Sequence, residues 1–328
     1  MIKHILFFKE YDFLVAGEYP TIKYFRVSKM LEQIDSYQGK YTRVINKFKE
    51  HKKAVNYLAK ECNDYFLSCS DDNTVVRWKR THVNLIGVEF VFKLYNSLSN
   101  KHQVLKGHND RVTQVIKLND IHKFCSCSDD KTIRIYWTNN DESNAKFLQE
   151  LKPTDMTCNF ISMADIGNNI IAVACQDNIM RFFDYQSFKY LSEQSLSNIE
   201  CASVDSMRVA NEKLLIGGKS KITVLNVKSH KVDFVYSNPD MKDIRSMFLL
   251  NASTLLCVDV GKMYELYIKS NKIQLLFAPE FPSNRITSIV SLSNNTIILG
   301  DEQSNITYIK FEDNNDFLQE KPFFINPF

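Results

Sequence analysis

The chain has 328 residues, 44% of them hydrophobic and 24% charged, which is the balance of a soluble globular protein. Its 41 basic and 38 acidic residues leave a formal charge of +3, too small to indicate nucleic-acid binding through bulk electrostatics. Lys3, His4 and Lys9 interrupt the apolar N-terminus, where a signal peptide needs an unbroken apolar run. No stretch approaches the ~18 apolar residues of a membrane span. The sequence therefore predicts a soluble chain without a membrane span.

Eight cysteines are present, and none stands in a CxxC pair or in a Cys/His set with the spacing of a zinc site. Most lie inside apolar, strand-like runs, where they predict buried free thiols in a reducing compartment. We therefore expect no metal and no other cofactor. We also expect a cytoplasmic location, with the nucleus as the alternative.

In chain order, the first strand pair is predicted at 13–27, where two apolar runs flank a turn. Two closely similar units follow, at 48–79 and at 105–138. Each unit predicts four short strands, named a to d. Strand a follows a histidine, strand b runs into Ser-Asp-Asp, a tight turn leads to strand c, and strand d completes the unit. Two copies of one pattern indicate a repeat architecture.

The same b–turn–c pattern recurs at 170–185, 214–227, 254–268 and 296–311, which makes seven units in all. Most intervals between the turns lie in the forties, the size of a four-stranded propeller blade. No block of residues is left for a second domain. The sequence therefore predicts one domain over 1–328, with blades at approximately 1–48, 49–105, 106–152, 153–195, 196–237, 238–278 and 279–325.

The largest departure from the repeat is an insertion at 80–101 in the second blade. Its run GVEFVFKLY is too apolar for a plain solvated loop. Two alternatives stay open, a protrusion that binds a partner and an elongated c–d hairpin packed on the blade edge. Closure of the ring is open as well: either side chains of the first and seventh blades pack together, or the aromatic tail at 321–328 docks across the seam or onto a partner.

The unit at 105–138 begins with Gly107-His108, and its twin has Glu50-His51 at that place. Trp78 follows Asp72 by six residues. In the next unit Tyr136 holds this position and Trp137 comes one residue late, so either Tyr136 takes the tryptophan's role or a bulge corrects the register. These residues form a GH…SxDxTxxxW type of pattern, and on them the chain resembles the WD40-repeat family. The resemblance implies an all-β fold, a seven-bladed WD40-type β-propeller with four-stranded antiparallel blades.

The resemblance also implies that the polar residues of the pattern form a hydrogen-bonded clamp inside each blade. A buried carboxylate at a turn needs donors, which a His ring and a Ser hydroxyl can help to supply. A His-Ser-Asp set is also typical of hydrolases, but its repetition at nearly the same spacing favours a scaffold. We therefore expect no enzymatic activity and no catalytic residue. The expected clamp residues are His51, Ser68, Asp72, Trp78, His108, Ser126, Asp130 and Tyr136.

Ligands of such propellers commonly bind where the d–a loops and b–c turns open around the channel, and the resemblance implies which side chains form this rim. Arginine forks there can grip a carboxylate or a phosphate, although loop-tip charges are also commonly just solvated or paired. The expected rim residues are Asn56, Asp71, Arg111, Thr113, Asp129, Thr157, Asn159, Gln176, Arg245 and Arg285.

Three functions compete, because a propeller fold does not by itself define one. The first is a scaffold or adaptor that binds other proteins within a multiprotein complex, the propeller itself being a monomer. The second is a subunit of an RNA-processing or other nucleic-acid-associated particle, although the basic pieces at 48–53 and 78–82 are short. The third is phosphoinositide binding, which would need an Arg-Arg pair that the sequence lacks. No small-molecule substrate is expected.

Overall fold

Twenty-eight β-strands and no helix make up the part of the chain that the structure, a computed structural model, describes. The predicted insertion at 80–101 lies outside that part. The described residues are 1–9, 12–27, 42–79, 102–138, 144–153, 159–195, 206–259, 261–270, 272–277, 285–293, 296–310 and 323–325.

The strands are short and follow one another through tight turns in most places. In chain order they are β1 Ile2–Lys9, β2 Asp12–Gly17, β3 Ile22–Val27, β4 Thr42–Phe48, β5 Val55–Lys60, β6 Tyr65–Ser70, β7 Val75–Lys79, β8 His102–Leu105, β9 Val112–Lys117, β10 Lys123–Ser128, β11 Ile133–Trp137, β12 Lys146–Leu151, β13 Phe160–Gly167, β14 Ile170–Cys175, β15 Ile179–Asp184, β16 Lys189–Ser195, β17 Met207–Ala210, β18 Lys213–Gly217, β19 Lys221–Asn226, β20 Val232–Ser237, β21 Ser246–Asn251, β22 Thr254–Val258, β23 Met263–Tyr267, β24 Lys272–Phe277, β25 Ile286–Ser293, β26 Thr296–Asp301, β27 Ile306–Lys310 and β28 Phe323–Ile325.

Each successive group of four strands forms one antiparallel sheet, and there are seven such sheets, the blades. The first strand of every blade contacts the first strand of the next, from β1 with β5 round to β25 with β1. The blades therefore close into a ring. The predicted all-β, seven-bladed propeller with four-stranded antiparallel blades is confirmed.

Burial along the strands follows from this stacking of blades. The middle strand β6 is buried at all six positions, because neighbouring blades cover both of its faces. This explains why the b strands are almost continuous apolar runs in the sequence. The outer strand β20 is exposed at five of its six positions, because it lies at the perimeter.

Apolar side chains between adjacent blades form the core. Between the first and second blades, Leu14, Phe66 and Trp78 pack in one buried cluster, and the rings of Phe66 and Trp78 stack with centroids 5.9 Å apart. Each such side chain contributes about 1.5–3 kcal/mol when fully buried. The cohesion of the ring is therefore distributed over similar blade-to-blade interfaces.

A buried ion pair within the second blade is hydrogen-bonded to the third blade. Arg77 on β7 donates from Nε and Nη2 to the two carboxylate oxygens of Glu61, at 2.8 and 2.9 Å. Thr138, which follows β11, donates its hydroxyl to Glu61 Oε1 at 2.8 Å. Neither charged side chain is exposed. This fully bonded geometry is what a buried pair requires if its attraction is to offset desolvation.

The ring closes where the first blade meets the seventh. Ile2 and Ile5 of β1 pack with Ile298 in one buried cluster, and the Ile5 amide donates to Ser288 Oγ at 3.0 Å. A Cβ on Gly300 would come within 2.8 Å of Ile2 Cγ2, so the seam is tightly packed. Closure by side-chain packing between the two blades is thus what the structure shows.

The C-terminal strand β28 is the d strand of the seventh blade. In β28, Phe323, Phe324 and Ile325 pair antiparallel with β27. These three residues therefore do not support the alternative in which the tail docks across the seam. The rest of that segment, 321–322 and 326–328, lies outside the described residues.

The b–c turns share one backbone device. Asn73 and Lys131, each directly after the turn aspartate of a twin unit, both have φ of 66°. A left-handed residue here reverses the chain within a few positions, and Asn tolerates this conformation better than most residues. The turn aspartate is thereby held next to the loop that enters the same blade.

Candidate functional site

A hydrogen-bonded chain of four side chains ties the second blade together. Trp78 Nε1 lies 2.8 Å from Ser68 Oγ, which lies 2.7 Å from His51 Nε2. His51 Nδ1 lies 3.0 Å from Asp72 Oδ2, and the Lys52 amide donates to the same oxygen at 2.8 Å. We call these four side chains the second-blade clamp. It links the loop before β5 to strands β6 and β7 and to the turn between them.

The proton positions in this clamp follow from its chemistry. The Asp72 carboxylate can only accept, so His51 Nδ1 carries the proton and Nε2 is an acceptor. Ser68 then donates to Nε2 and accepts from the Trp78 indole. Each polar atom of the chain thus has a partner, as buried polar groups require.

The third blade repeats the clamp with one change. His108 bridges Ser126 Oγ at 2.8 Å and Asp130 Oδ2 at 2.9 Å, and the Asn109 amide donates to Asp130 Oδ2 at 2.9 Å. This third-blade clamp has Tyr136 where the second blade has Trp78.

Tyr136 takes the tryptophan position without a bulge between β10 and β11. It pairs with Phe124, as Trp78 pairs with Phe66, and the register from Lys123 to Cys127 is regular. The Tyr136 hydroxyl is buried and makes no hydrogen bond within the described part of the chain. Burial raises the pKa of Tyr136. Tyr136 in place of tryptophan therefore keeps the ring packing of the clamp but not the hydrogen bond that Trp78 makes to the serine in the second blade.

The clamp carboxylates are held in their charged form. Burial alone would raise the pKa of Asp72 and of Asp130. Hydrogen bonds from the histidine, a threonine hydroxyl and a backbone amide outweigh this effect, and both pKa values lie well below the ordinary 3.8. The geometry is that of a structural link.

We call the end of the blades that carries the d–a loops and b–c turns the loop face, and the opposite end the hairpin face. On the loop face, Asn56 donates to Asp71 Oδ1 at 2.7 Å and to the Val112 carbonyl at 2.8 Å. Lys3 donates to Asn56 Oδ1 at 2.6 Å and lies 3.7 Å from Asp71. These predicted rim residues are thus brought together in one network that links three blades.

Arg111 and Asp129 form a direct ion pair in the third blade, with a hydrogen bond from Nε to Oδ2. The Arg111 side chain is 52% exposed, while that of Asp129 is 11% exposed. Thr113 is placed differently from its prediction. Its side chain is buried, and its hydroxyl donates to the Cys127 carbonyl at 3.3 Å. It lies over the neighbouring strand and is not part of the exposed rim.

In the fourth blade the sequence pattern aligns Thr157 with Arg111 and Asn159 with Thr113, and the structure shifts this alignment by two residues. The Gln176 amide donates to the Asn159 carbonyl at 3.0 Å, as Asp129 donates to Arg111. Asn159 therefore occupies the position of Arg111 and not that of Thr113. Gln176 is exposed, and Thr157 lies outside the described residues.

Arg245 and Arg285 lie apart from Arg111, in a cleft on the fifth to seventh blades. The cleft has a volume of about 390 Å³. Arg245 lies 3.8 Å from Asp243, and Arg285 lies 4.0 Å from Glu302. We call this cleft the basic cleft; the described residues that line it are Lys219, Ser220, Lys242, Asp243, Arg245 and Arg285.

Sequence reasoning missed two residues of the basic cleft, Lys219 and Lys242. The turn of the fifth blade has the sequence Gly-Gly-Lys-Ser and no aspartate, so the pattern that predicted the rim gave no guide there. The sequence signal that could have indicated the cleft is Lys219 at the tip of one turn, followed by Lys242 and Arg245 in the next loop.

The described residues contain no group of three His, Cys, Asp or Glu side chains placed to hold a metal ion. Nor does that part of the chain include a helix with the length and apolar character to cross a membrane.

Seven antiparallel blades closed into a ring, two of them carrying the same internal clamp, define a seven-bladed β-propeller. A family model described as WD40: WD domain, G-beta repeat matches residues 42–79 and 99–136. Each match contains the d strand of one blade and the a, b and c strands of the next, β4–β7 and β8–β11. Residues 42–79 and 99–136 are therefore WD40 repeats, and they lie within a seven-bladed propeller. Comparison with curated proteins finds no match. WD40 propellers generally act as protein-interaction scaffolds and are typically non-enzymatic.

Proposed function

We propose that the chain is a non-enzymatic scaffold that binds other proteins through its loop face, as a subunit or adaptor of a multiprotein complex. The observation that carries the proposal is a contrast within that face, where the backbone is fixed and charged side chains project from it. The Asp129 amide donates to the Arg111 carbonyl at 3.1 Å, and the Glu302 amide donates to the Arg285 carbonyl at 3.0 Å. Both arginine side chains are nevertheless 52% exposed.

A fixed backbone with exposed charges suits recognition of a partner. Loops that are already ordered lose little conformational entropy on binding, which favours affinity. The charges differ across the face: Asp71 and Asp129 are paired with cations on one side, while the basic cleft lies on the other. Such a pattern favours specific orientation of a partner.

The burial of the clamps supports the non-enzymatic part of the proposal. Ser68 and Ser126 have no exposed surface, and His51 and His108 are 6% and 7% exposed. A nucleophile must be reached by its substrate, and these hydroxyls are covered by the neighbouring strands.

The proposal places the chain in the cytoplasm or the nucleus. Among the described residues, the following cysteines form no disulfide bond, which fits a reducing compartment: Cys62, Cys69, Cys125, Cys127, Cys175 and Cys257. Imaging of the tagged full chain tests this, and accumulation in a secretory compartment would contradict it.

The experiment is affinity purification of the full chain with quantitative mass spectrometry. The rim variant R111Q/R245Q/R285Q is compared with a hairpin-face variant of the same charge change, K189Q/K231Q/K272Q, whose three lysines are exposed. We expect stoichiometric protein partners on the unmodified chain, their loss from the rim variant and their retention on the control.

The outcomes separate the candidate functions. Absence of any partner above background would exclude the scaffold proposal. Retention of every partner on the rim variant would exclude the loop face as the binding surface. Loss of partners after nuclease treatment would favour the alternative, a subunit of an RNA-associated particle.

A further inference from the structure

The basic cleft concentrates positive charge on one side of the loop face. Lys219 is at the tip of the fifth blade's turn, Lys242 and Arg245 are on the next loop, and Arg285 precedes β25. Among the described lining residues these four cations face one carboxylate, that of Asp243. The lining therefore has a formal charge of +3.

The backbone that carries these cations is held in place. The Ser220 amide donates to the Lys242 carbonyl at 3.1 Å, and the Ile244 amide donates to the Gly218 carbonyl at 3.1 Å. The Arg245 amide donates to the Val258 carbonyl at 2.8 Å. The loop is thus tied to the fifth blade on one side and to the sixth on the other, so the cleft exists before any ligand binds.

The ion pairs of the two cleft arginines with carboxylates are longer than the ion pair of Arg181. Arg181 in the fourth blade donates two hydrogen bonds to Asp177, at 2.7 and 3.0 Å. The ion pairs of Arg245 with Asp243 and of Arg285 with Glu302, at 3.8 and 4.0 Å, are longer than a hydrogen bond. An anion that enters the cleft can therefore form charge-assisted bonds with Arg285 that its pair with Glu302 does not make.

The charge and size of the cleft indicate the kind of anion. A volume of about 390 Å³ lies near the lower end of the range for ligand sites, which suits one side chain better than a large cofactor. A carboxylate has one negative charge, whereas a phosphorylated side chain has about −1.5 to −2 and three acceptor oxygens. The phosphorylated side chain matches the charge of the four cations that line the cleft better than a carboxylate does.

We propose that the basic cleft binds a phosphorylated side chain of a partner protein. This inference rests on the proposed function, since it assumes that proteins dock on the loop face. Lys219, Lys242 and Arg285 attract and bind the phosphate oxygens, and the Arg245 fork provides directed donors. Phosphorylation of the partner then controls its attachment to the scaffold.

The test uses the purified full chain and immobilised degenerate peptides with a fixed central phosphoserine, or with serine at the same position. The variant K219Q/K242Q/R285Q changes three exposed cations of the cleft, and K189Q/K231Q/K272Q is the control on the hairpin face. Melting curves establish that both variants are folded. Inositol hexakisphosphate is a separate arm that distinguishes a soluble phosphate compound from a phosphoprotein.

We expect the unmodified chain and the control to retain phosphoserine peptides about tenfold or more over serine peptides, and the cleft variant to lose this preference. A hydrogen bond to a charged group contributes enough for about a tenfold change. Equal retention of both peptide sets would overturn the proposal, as would equal losses in both variants or binding of inositol hexakisphosphate alone. If partners co-purify from cells but phosphatase treatment does not release them, the scaffold function stands and the phosphate inference fails.

Discussion

Ser68 and Ser126 occupy the same place in twin blades but make different numbers of hydrogen bonds. Ser68 Oγ is bonded to both His51 and Trp78. Ser126 Oγ is bonded to His108, while the Tyr136 hydroxyl opposite makes no bond within the described residues. Both serine side chains are fully buried. The substitution S68A therefore leaves two buried polar groups without a partner, and S126A leaves one.

The magnitudes follow from this difference. A buried polar group that loses its partner costs about 1–3 kcal/mol. We expect S68A to lower the free energy of unfolding by about 2–6 kcal/mol and S126A by about 1–3 kcal/mol. The informative quantity is the difference of about 1–3 kcal/mol between two identical substitutions, because the loss of the hydroxyl itself is common to both.

Equilibrium unfolding in urea, followed by circular dichroism and tryptophan fluorescence, measures the effect. The chain has two tryptophans, Trp78 and Trp137, one on each twin blade, so fluorescence reports on both sites. A lower midpoint with an unchanged slope identifies a change in stability. The variant Y136F is the control, and we expect it to be neutral or to stabilise by up to about 1 kcal/mol. Equal losses for the two serine variants, or a larger loss for S126A, would refute the assigned bonding.

Three further predictions concern the fold. Removing one member of the buried ion pair, in R77M, should destabilise by about 3–5 kcal/mol, and the double variant E61M/R77M should recover much of this loss because no charge is left buried and unpaired. The folded-state pKa values of Asp72 and Asp130 are lowered. The two carboxylates therefore stabilise the folded state fully above the ordinary pKa of 3.8, and this stabilisation is lost as the pH falls below that value. The acid-induced decrease in the free energy of unfolding should be shallower in D72N/D130N. The variant G300A should lower the free energy of unfolding by about 1–3 kcal/mol, because the added methyl enters the packed seam.

Urea unfolding at several pH values measures all three. An R77M loss that E61M does not reduce would mean that packing, and not charge, dominates at that site. Parallel pH profiles for D72N/D130N and the unmodified chain would contradict the assigned carboxylate pKa values. A neutral G300A would show that the first and seventh blades pack less tightly than the distances indicate.

The blades and their clamps were predictable because their signals are local and repeated. His108, Ser126 and Asp130 belong to one unit, and the twin unit places the same residue types at nearly the same spacing. The turn residues around Asp72 and Asp130 set the strand boundaries, so the b–c hairpins could be placed without knowledge of other blades. The choice at Tyr136 required the structure, because sequence spacing alone does not show whether a strand contains a bulge.

Features between blades were not predictable from the sequence. The hydrogen bond from Thr138 to Glu61 and the network of Lys3 with Asn56 depend on which blade faces come together. The basic cleft combines loops of three blades whose turns lack the Ser-Asp-Asp sequence that aligned the twin units. In the fourth blade no histidine marks the start of the unit, and the predicted rim was displaced by two residues at Asn159.

Docking of partner proteins on the loop face is tested most directly by hydrogen–deuterium exchange of the full chain, alone and bound to a partner recovered by affinity purification. We expect slower exchange of amides in the loops and turns at 49–54, 71–74, 106–111 and 238–245. Exchange in the c–d hairpins at 185–188 and 227–231 should stay unchanged. Protection confined to those hairpins or to the outer d strands would contradict the proposed binding face.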